Sequence, residues 1–200
     1  NISDSFFHVL PSASYNNRSA VRITTGVGTG NVVIISGNTI DNVVRPIELD
    51  NADRVIITGN RINATDPTTL GVNGCFVQVD SGGANRTIVI SNNIFSGCND
   101  SSGATVTHGV YVEGDNVQVN NNSFEGSSTL SGNLIHFEGE AGAGAVTRVA
   151  AKGNIVTSMS GADGIVIELN VTSYVVVDNI GFNVTDSGGA VNKTVTGNIL

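Results

Sequence analysis

Apolar and polar residues alternate along the chain in one short pattern that lacks the spacing of a helix. The pattern is an apolar residue, any residue, an apolar residue, two turn-forming residues, an asparagine, any residue and a last apolar residue. It occurs at 33–40, 55–62, 88–95, 117–124 and 149–156, with a weaker copy at 194–200. Alternation of this kind is typical of short β-strands, and it predicts that Val33, Ile35, Ile40 and their equivalents lie inside the fold.

The asparagine of this pattern recurs at intervals that define a repeat. Successive copies are 22, 33, 29, 32 and 44 residues apart, and the last interval reads as two units of 22: Asn38, Asn60, Asn93, Asn122, Asn154 and Asn198. Segment 175–182 keeps the apolar frame but displaces its asparagine by one position. A unit of about 22 residues with insertions, built from short strands, predicts an all-β parallel solenoid.

Each unit also contains a second short strand with an apolar residue on either side of a central one. These strands are 47–49, 77–79, 110–112, 135–137 and 167–169. We expect one β-helix domain over 1–200, with an irregular entry coil at 1–30 and regular coils at 31–200. Because both ends stop within the repeat, the chain is expected to be a fragment of a longer one.

The recurrent asparagine has a structural role in such a fold. Its amide can donate a hydrogen bond to one neighbouring coil and accept one from the other, which satisfies turn groups that would otherwise be buried without partners. We therefore predict an internal asparagine ladder and assign no ligand to it.

Composition narrows the range of functions. The 25 glycines, and as many asparagines, exclude a helical bundle. A net charge of −8 disfavours nucleic acid as a partner, and no apolar run is long enough to span a membrane. The spacing of Cys75 and Cys98 matches neither a zinc pair nor a redox motif, which favours two half-buried thiols without deciding their disulfide state.

The Val-x-Ile-x-x-Asn-x-Ile/Phe repeat resembles the right-handed parallel β-helices of the pectate-lyase-like group. Within that group it looks most like the β-helical body of a bacteriophage tailspike or capsule depolymerase. The resemblance covers about residues 30–200 and implies a right-handed coil, a homotrimer, a bacterial polysaccharide as partner, and a location on the virion tail or outside the cell.

Acidic residues collect beside the second strands. Insertions fall mainly at 63–74, 96–109, 125–133 and 157–164, and in a stacked fold they would rise from one edge beside this face. The central positions of the strands are Glu48, Gln78, Tyr111, His136 and Glu168, and the positions after them are Asp50, Asp80, Glu113, Glu138 and Asn170. Asp115 and Glu140 lie just beyond. Stacking at about 4.8 Å would place the carboxylates in a row.

A row of carboxyl groups suits glycoside hydrolysis, which needs one carboxyl as acid and another as nucleophile or base. We predict Glu113, Glu138 and Asp80 as the catalytic candidates. The predicted substrate contacts are Asp50, Glu48, Gln78, Tyr111, His136, Asp115 and Glu168. The row could instead serve only solubility, or bind Ca²⁺ through its oxygens; no other cofactor and no other metal are expected.

Two further functions remain open at this point. A polysaccharide lyase or epimerase would use Tyr111 or His136 as a base, with Arg148 or Lys152 to neutralise a uronate. A non-catalytic adhesin or spacer would use the acidic face for solubility alone. His8 falls in the irregular start and His108 in a loop. A histidine placed like His136 is more often a surface residue than a metal ligand, so no zinc site is predicted.

Overall fold

The computed structural model describes residues 1–8, 19–24, 32–50, 52–64, 74–80, 87–97, 108–125, 132–138, 146–158, 164–188 and 192–200. The predicted edge loops fall largely between these ranges. Glu140 and the thiols of Cys75 and Cys98 also lie outside the described part of the chain.

The described residues form short β-strands throughout. In chain order they are β1 (Ile2–Ser3), β2 (Phe6–His8), β3 (Ser19–Thr24), β4 (Val33–Ser36), β5 (Thr39–Val43), β6 (Arg45–Asp50), β7 (Arg54–Thr58), β8 (Arg61–Ala64), β9 (Gly74–Asp80), β10 (Thr87–Ser91), β11 (Ile94–Gly97), β12 (His108–Val112), β13 (Val117–Asn120), β14 (Ser123–Phe124), β15 (Ile135–Phe137), β16 (Val146–Lys152), β17 (Ile155–Val156), β18 (Ile165–Ile167), β19 (Val171–Val177), β20 (Val184–Asp186) and β21 (Asn192–Thr196).

These strands build three parallel sheets. Sheet 1 has the order β1-β4-β7-β10-β13-β16-β19-β21, sheet 2 the order β17-β14-β11-β8-β5-β2, and sheet 3 the order β20-β18-β15-β12-β9-β6-β3. Each strand pairs in parallel with the strand of the next coil, which is three elements further along the chain up to β16. In the last coil β18 pairs with β20 and β19 with β21, two elements apart. The chain is therefore a parallel β-solenoid, as the repeat predicts. Its right-handed sense stays a prediction.

The core lies between the three sheets and is filled by the inward residues of the repeat. Ile35 and Ile40 are fully buried, as are Ile47 and Leu49 of the second strand, whereas Val33 is only partly buried. Aromatic residues fill the middle of the coil stack, where Phe76 and Phe95 stack with ring centroids 4.9 Å apart. Apolar packing of this kind supplies the main driving force for folding.

The predicted asparagine ladder is present and contains one more member than expected. The Nδ2 atom of each asparagine donates to Oδ1 of the next, at 2.8 to 3.0 Å, through Asn38, Asn60, Asn93, Asn122, Asn154, Asn179 and Asn198. The asparagine of segment 175–182 is thus in register, and the prediction that it is displaced was wrong. The inward apolar residues are instead one position earlier than predicted, because Tyr174 and Val176 are the buried pair before Asn179.

The last interval of 44 residues consequently divides into 25 and 19 residues, where the sequence predicted two equal units. A short unit is accommodated because its corner remains intact. Asn179 is fully buried and its amide nitrogen also donates to Ala151 O at 3.1 Å.

No helix in the described ranges is both long and apolar enough to cross a membrane.

Candidate active site

The outer face of sheet 3 carries two rows of side chains that follow the strand register. Glu48 pairs with Gln78, Gln78 with Tyr111, and Tyr111 with His136; these four residues are called the central row. The position after the central pair forms the acidic row, which consists of Asp50, Asp80, Glu113, Glu138 and Glu168. Main-chain bonds continue the ladder into the acidic row, since the amide of Glu113 donates to Val79 O and that of Glu138 to Val112 O.

The register differs from the predicted one in the coil that contains Glu168. Ile165 pairs with Ile135 and Val166 with His136, so Glu168 belongs to the acidic row and not to the central row. The main-chain amide of Glu168 donates to Phe137 O at 3.1 Å. Leu169, predicted to point inward, is 68% exposed. Residues 165–167 and 167–169 both have apolar residues at their first and third positions. A register shift of two residues keeps the same residues facing the core, so the sequence pattern does not distinguish the two alignments.

The central row is buried although it points away from the coil interior. Glu48, Gln78, Tyr111 and His136 are between 3% and 6% exposed. The prediction that His136 is a surface histidine was therefore wrong. His108 does not lie in a loop either, since it begins β12 and is buried.

Tyr111 links two members of the acidic row on adjacent coils. Its hydroxyl group contacts both the Glu113 and the Glu138 carboxyl groups. Burial, followed by the hydrogen bonds to these two residues, raises the pKa of Tyr111 far above its ordinary value. The phenol therefore stays protonated, and its single proton is donated to one of the two carboxyl groups at a time.

His136 faces the same part of the acidic row from the next coil. Its Nε2 atom lies 3.3 Å from Glu168 Oε1 and 3.9 Å from Glu138 Oε2. The rings of His136 and His108 are 4.1 Å apart at their centroids, and Tyr111 stacks against both at 5.7 Å. Burial lowers the pKa of His136 to about 4 and that of His108 to about 3, so both imidazoles are neutral at pH 7.

Arginine side chains neutralise the other end of the two rows. Arg45 Nη1 lies 3.0 Å from Glu48 Oε1, and both side chains are buried. Arg22 Nη2 lies 3.3 Å from Asp50 Oδ2. The rows thus change in character along the axis, from carboxylates paired with guanidinium groups to carboxyl groups held by a phenol and an imidazole.

Two carboxyl groups of the acidic row are harder to ionise than usual. Burial, together with the charges of Glu113 and Glu48, raises the pKa of Asp80 despite its 2.7 Å hydrogen bond from Gln78. Burial and the charge of Glu138 raise the pKa of Glu168. Burial is the main cause of both raised pKa values, and like charges on adjacent coils add to it. A raised pKa helps a carboxyl group to act as an acid near neutral pH.

Several sequence candidates lie apart from this cluster. The carboxylate of Asp115 accepts a 2.6 Å hydrogen bond from the Thr147 amide and so supports the turn between β12 and β13. Arg148 and Lys152 belong to β16 on sheet 1, and His8 pairs with Asp41 on sheet 2. Within the described ranges, no group of three or more His, Cys, Asp and Glu residues is arranged to hold a metal ion.

Sequence reasoning missed Asn133, which contacts both buried histidines, and Arg45, which pairs with Glu48. Asn133 lies outside the repeat, and only its position two residues before the second strand of its coil could have pointed to it.

Protein-family models, curated proteins and solved structures were each compared with the chain. No family model, no curated protein and no solved structure matches it. The contacts of the acidic row and the central row are therefore the basis on which a function can be inferred.

Proposed function

We propose that this chain is the β-helical part of a tailspike-like protein that binds and hydrolyses a bacterial surface polysaccharide along the acidic row. Glu113 and Glu138 are the proposed catalytic pair. The observation that carries the proposal is the shared contact of both carboxyl groups with the buried Tyr111 hydroxyl.

This shared contact limits the separation of the two carboxyl groups. Two oxygens that both hydrogen-bond to one phenolic oxygen lie at most about 6 Å apart, because each such bond spans about 2.5 to 3.0 Å. Glycosidases that retain configuration separate their two carboxyl groups by about 5 to 5.5 Å, whereas inverting enzymes need about 6.5 to 9.5 Å. The pair therefore suits a retaining mechanism with a covalent glycosyl intermediate on one glutamate.

The neutral donors around the pair favour hydrolysis further. Tyr111 and His136 hold the carboxyl groups without cancelling their charge, since the phenol stays protonated and the imidazole is neutral at pH 7. A negative site of this kind stabilises the positive charge that develops on the sugar ring in the transition state.

The position of the basic residues disfavours the lyase or epimerase alternative. A lyase must neutralise the uronate carboxylate, but Arg148 and Lys152 lie on sheet 1, and Arg22 and Arg45 are paired with Asp50 and Glu48. Because its pKa is raised, Tyr111 also stays protonated at neutral pH and offers no phenolate to act as the base.

The remaining members of the two rows are proposed to contact the substrate. Gln78, Asp80 and Glu168 lie next to the pair, while Asp50 and Glu48 would bind through their arginine partners. Asp115 is engaged by the Thr147 amide and is the weakest of these candidates. We further propose a homotrimer on a virion tail or outside a cell. Light scattering of the purified chain tests the trimer, and a monomeric mass would contradict it for these residues.

The test is turnover on a panel of bacterial capsular and O-antigen polysaccharides. We expect new reducing ends without an unsaturated product, together with a loss of kcat of about 10⁴-fold in Glu113→Gln and Glu138→Gln, since each removes one half of a two-carboxylate mechanism. Azide should restore turnover in Glu113→Ala and Glu138→Ala and yield a glycosyl azide. Its configuration assigns the roles, because the variant without the nucleophile gives the inverted product and the variant without the acid–base residue the retained one.

Glu125→Gln is the matched control, because Glu125 follows β14 on sheet 2. It should retain wild-type turnover. An ultraviolet-absorbing unsaturated product would indicate a lyase, and no turnover with glycan binding retained would indicate an adhesin. Full activity in excess EDTA is expected, and a loss restored by Ca²⁺ would show that the acidic row binds that ion.

A further inference from the structure

Asn133 lies two residues before β15 and contacts both buried histidines. Its main-chain amide donates to His108 Nδ1 at 3.0 Å, and its side-chain Nδ2 lies 2.9 Å from His136 Nδ1. Asn133, His108 and His136 are all buried. Asn133 therefore contacts the Nδ1 atom of two different imidazole rings.

These contacts determine where each imidazole carries its proton. A main-chain N–H can only donate, so His108 Nδ1 must be an acceptor and the proton of that ring sits on Nε2. The amide Nδ2 of Asn133 is also a donor, which assigns the same tautomer to His136. A second proton on either ring would place two donors face to face, and the two rings are only 4.1 Å apart.

The tautomer of His136 matters because of what its other nitrogen faces. Nε2 lies between the carboxyl groups of Glu168 and Glu138, at 3.3 Å and 3.9 Å. A proton on Nε2 gives these carboxyl groups a neutral N–H, whereas the other tautomer would direct a lone pair at them. Tyr111 and His108 also pack against this ring, and the charge of Glu113 acts on it.

We infer that Asn133 is a positioning residue that selects the Nε2–H tautomer of His136 and thereby holds a neutral donor between Glu138 and Glu168. The consequence for turnover rests on the proposed function. The tautomer itself is independent of it.

Asn133→Asp tests the inference with almost no change in shape, because it replaces the side-chain donor by an acceptor. We expect ¹⁵N NMR of histidine-labelled wild-type protein to show Nε2–H on both His108 and His136 between pH 5 and 8. In Asn133→Asp, His136 should move its proton to Nδ1 or become doubly protonated. His108 should keep its tautomer, since its partner is the main-chain amide, and it serves as an internal control.

An Nδ1–H signal from His136 in the wild-type protein would overturn the inference even if the variant fails to fold. An unchanged His136 spectrum in folded Asn133→Asp would overturn it as well.

Kinetics separate the inference from the proposed function. On a polysaccharide that the wild-type protein hydrolyses, Asn133→Asp should lower kcat by about 10- to 100-fold and leave KM within about twofold. The variant removes the N–H of His136 from the carboxyl groups but leaves the substrate-binding surface in place. Unchanged kcat together with the expected NMR change would show that the tautomer has no role in turnover. Absence of wild-type turnover would refute the proposed hydrolysis while the NMR result still decides the tautomer.

Discussion

Each asparagine of the ladder before the last one satisfies groups on two coils at once. Asn122 Nδ2 donates to Ile90 O and to Asn154 Oδ1, both at 3.0 Å. Its Oδ1 accepts from the main-chain amide and the Nδ2 atom of Asn93, again at 3.0 Å. Truncation of one member would leave buried donors and acceptors on both neighbours without partners. The free-energy cost of these unpaired groups exceeds the net stabilisation that the hydrogen bonds provide.

We expect Asn122→Ala to lower the free energy of unfolding by about 3 kcal/mol, measured by urea denaturation. Asn198→Ala is the comparison, because Asn198 is only partly buried and bonds to one other ladder asparagine, Asn179, whereas Asn122 bonds to two. Its loss should cost about 1 kcal/mol. Equal losses for the two variants would contradict the idea that the buried neighbours determine the cost.

The two buried histidines should make stability depend on pH. Their pKa values of about 3 and about 4 in the folded state lie below the ordinary value of about 6.5. The unfolded chain therefore binds more protons below pH 6.5, so stability is fully present above that pH and is lost as the pH falls towards 4. Between pH 7 and pH 5 we expect a loss of about 4 kcal/mol of unfolding free energy, about 2 kcal/mol from each histidine.

The double variant His108→Gln, His136→Gln should flatten this slope when urea midpoints are measured at several pH values. The raised pKa values of Asp80 and Glu168 act in the opposite sense, because these carboxyl groups bind protons more readily in the folded state. An unchanged slope in the variant would assign the pH dependence to groups other than the histidines.

At the level of the elements, the corner between sheets 1 and 2 is a left-handed residue in every coil. The position before each of the seven ladder asparagines has a positive φ: Gly37, Gly59, Asn92, Asn121, Gly153, Asp178 and Gly197. Asp4, which precedes Ser5 in the first coil, has a positive φ as well. Glycine, asparagine and aspartate tolerate this conformation best. The repeat could therefore predict the corner from two turn-forming residues followed by asparagine.

Two glycines with positive φ separate backbone strain from steric overlap. A Cβ atom on Gly97 would lie 2.1 Å from Ala64 O of the adjacent coil, whereas on Gly59 the nearest atom would be 4.0 Å away. We expect Gly59→Ala to cost about 1 kcal/mol of unfolding free energy and Gly97→Ala about 3 kcal/mol or more. Calorimetry of both variants checks this, and similar melting temperatures would contradict it.

The strands that could be aligned from the sequence were those followed by a corner asparagine. Val55, Ile88, Val117 and Val149 are fixed by the asparagine that follows each of them, and the structure buries them as predicted. Val33 is only partly buried, and segment 175–182 was predicted one residue out of register. The second strand has no such marker, so a slip of two residues in the coil of Glu168 left the alternation intact. Burial of the central row and the contacts of Asn133 depend on neighbouring coils, and no local pattern reports them.

At the level of the whole molecule, the chain has a net charge of −8, and stacking brings five of its acidic residues into one row. Like charges in the acidic row repel, and salt screens them over a Debye length of about 10 Å at 0.1 M. We expect the melting temperature to rise by a few degrees between about 10 mM and 300 mM NaCl. Asp80→Asn combined with Glu168→Gln should reduce this rise, and an unchanged rise would place its origin elsewhere on the surface.

The asparagine ladder also bears on how the chain ages chemically. Deamidation begins when the main-chain nitrogen after an asparagine attacks the side-chain amide. In the ladder these nitrogens already donate to the preceding coil, as Ser123 N does to Asn93 O and Ile155 N to Asn122 O, both at 2.9 Å. The residues that define the corners are thereby withheld from the slow reaction that asparagine-rich proteins undergo, and the fold keeps its register for as long as its coils stay stacked.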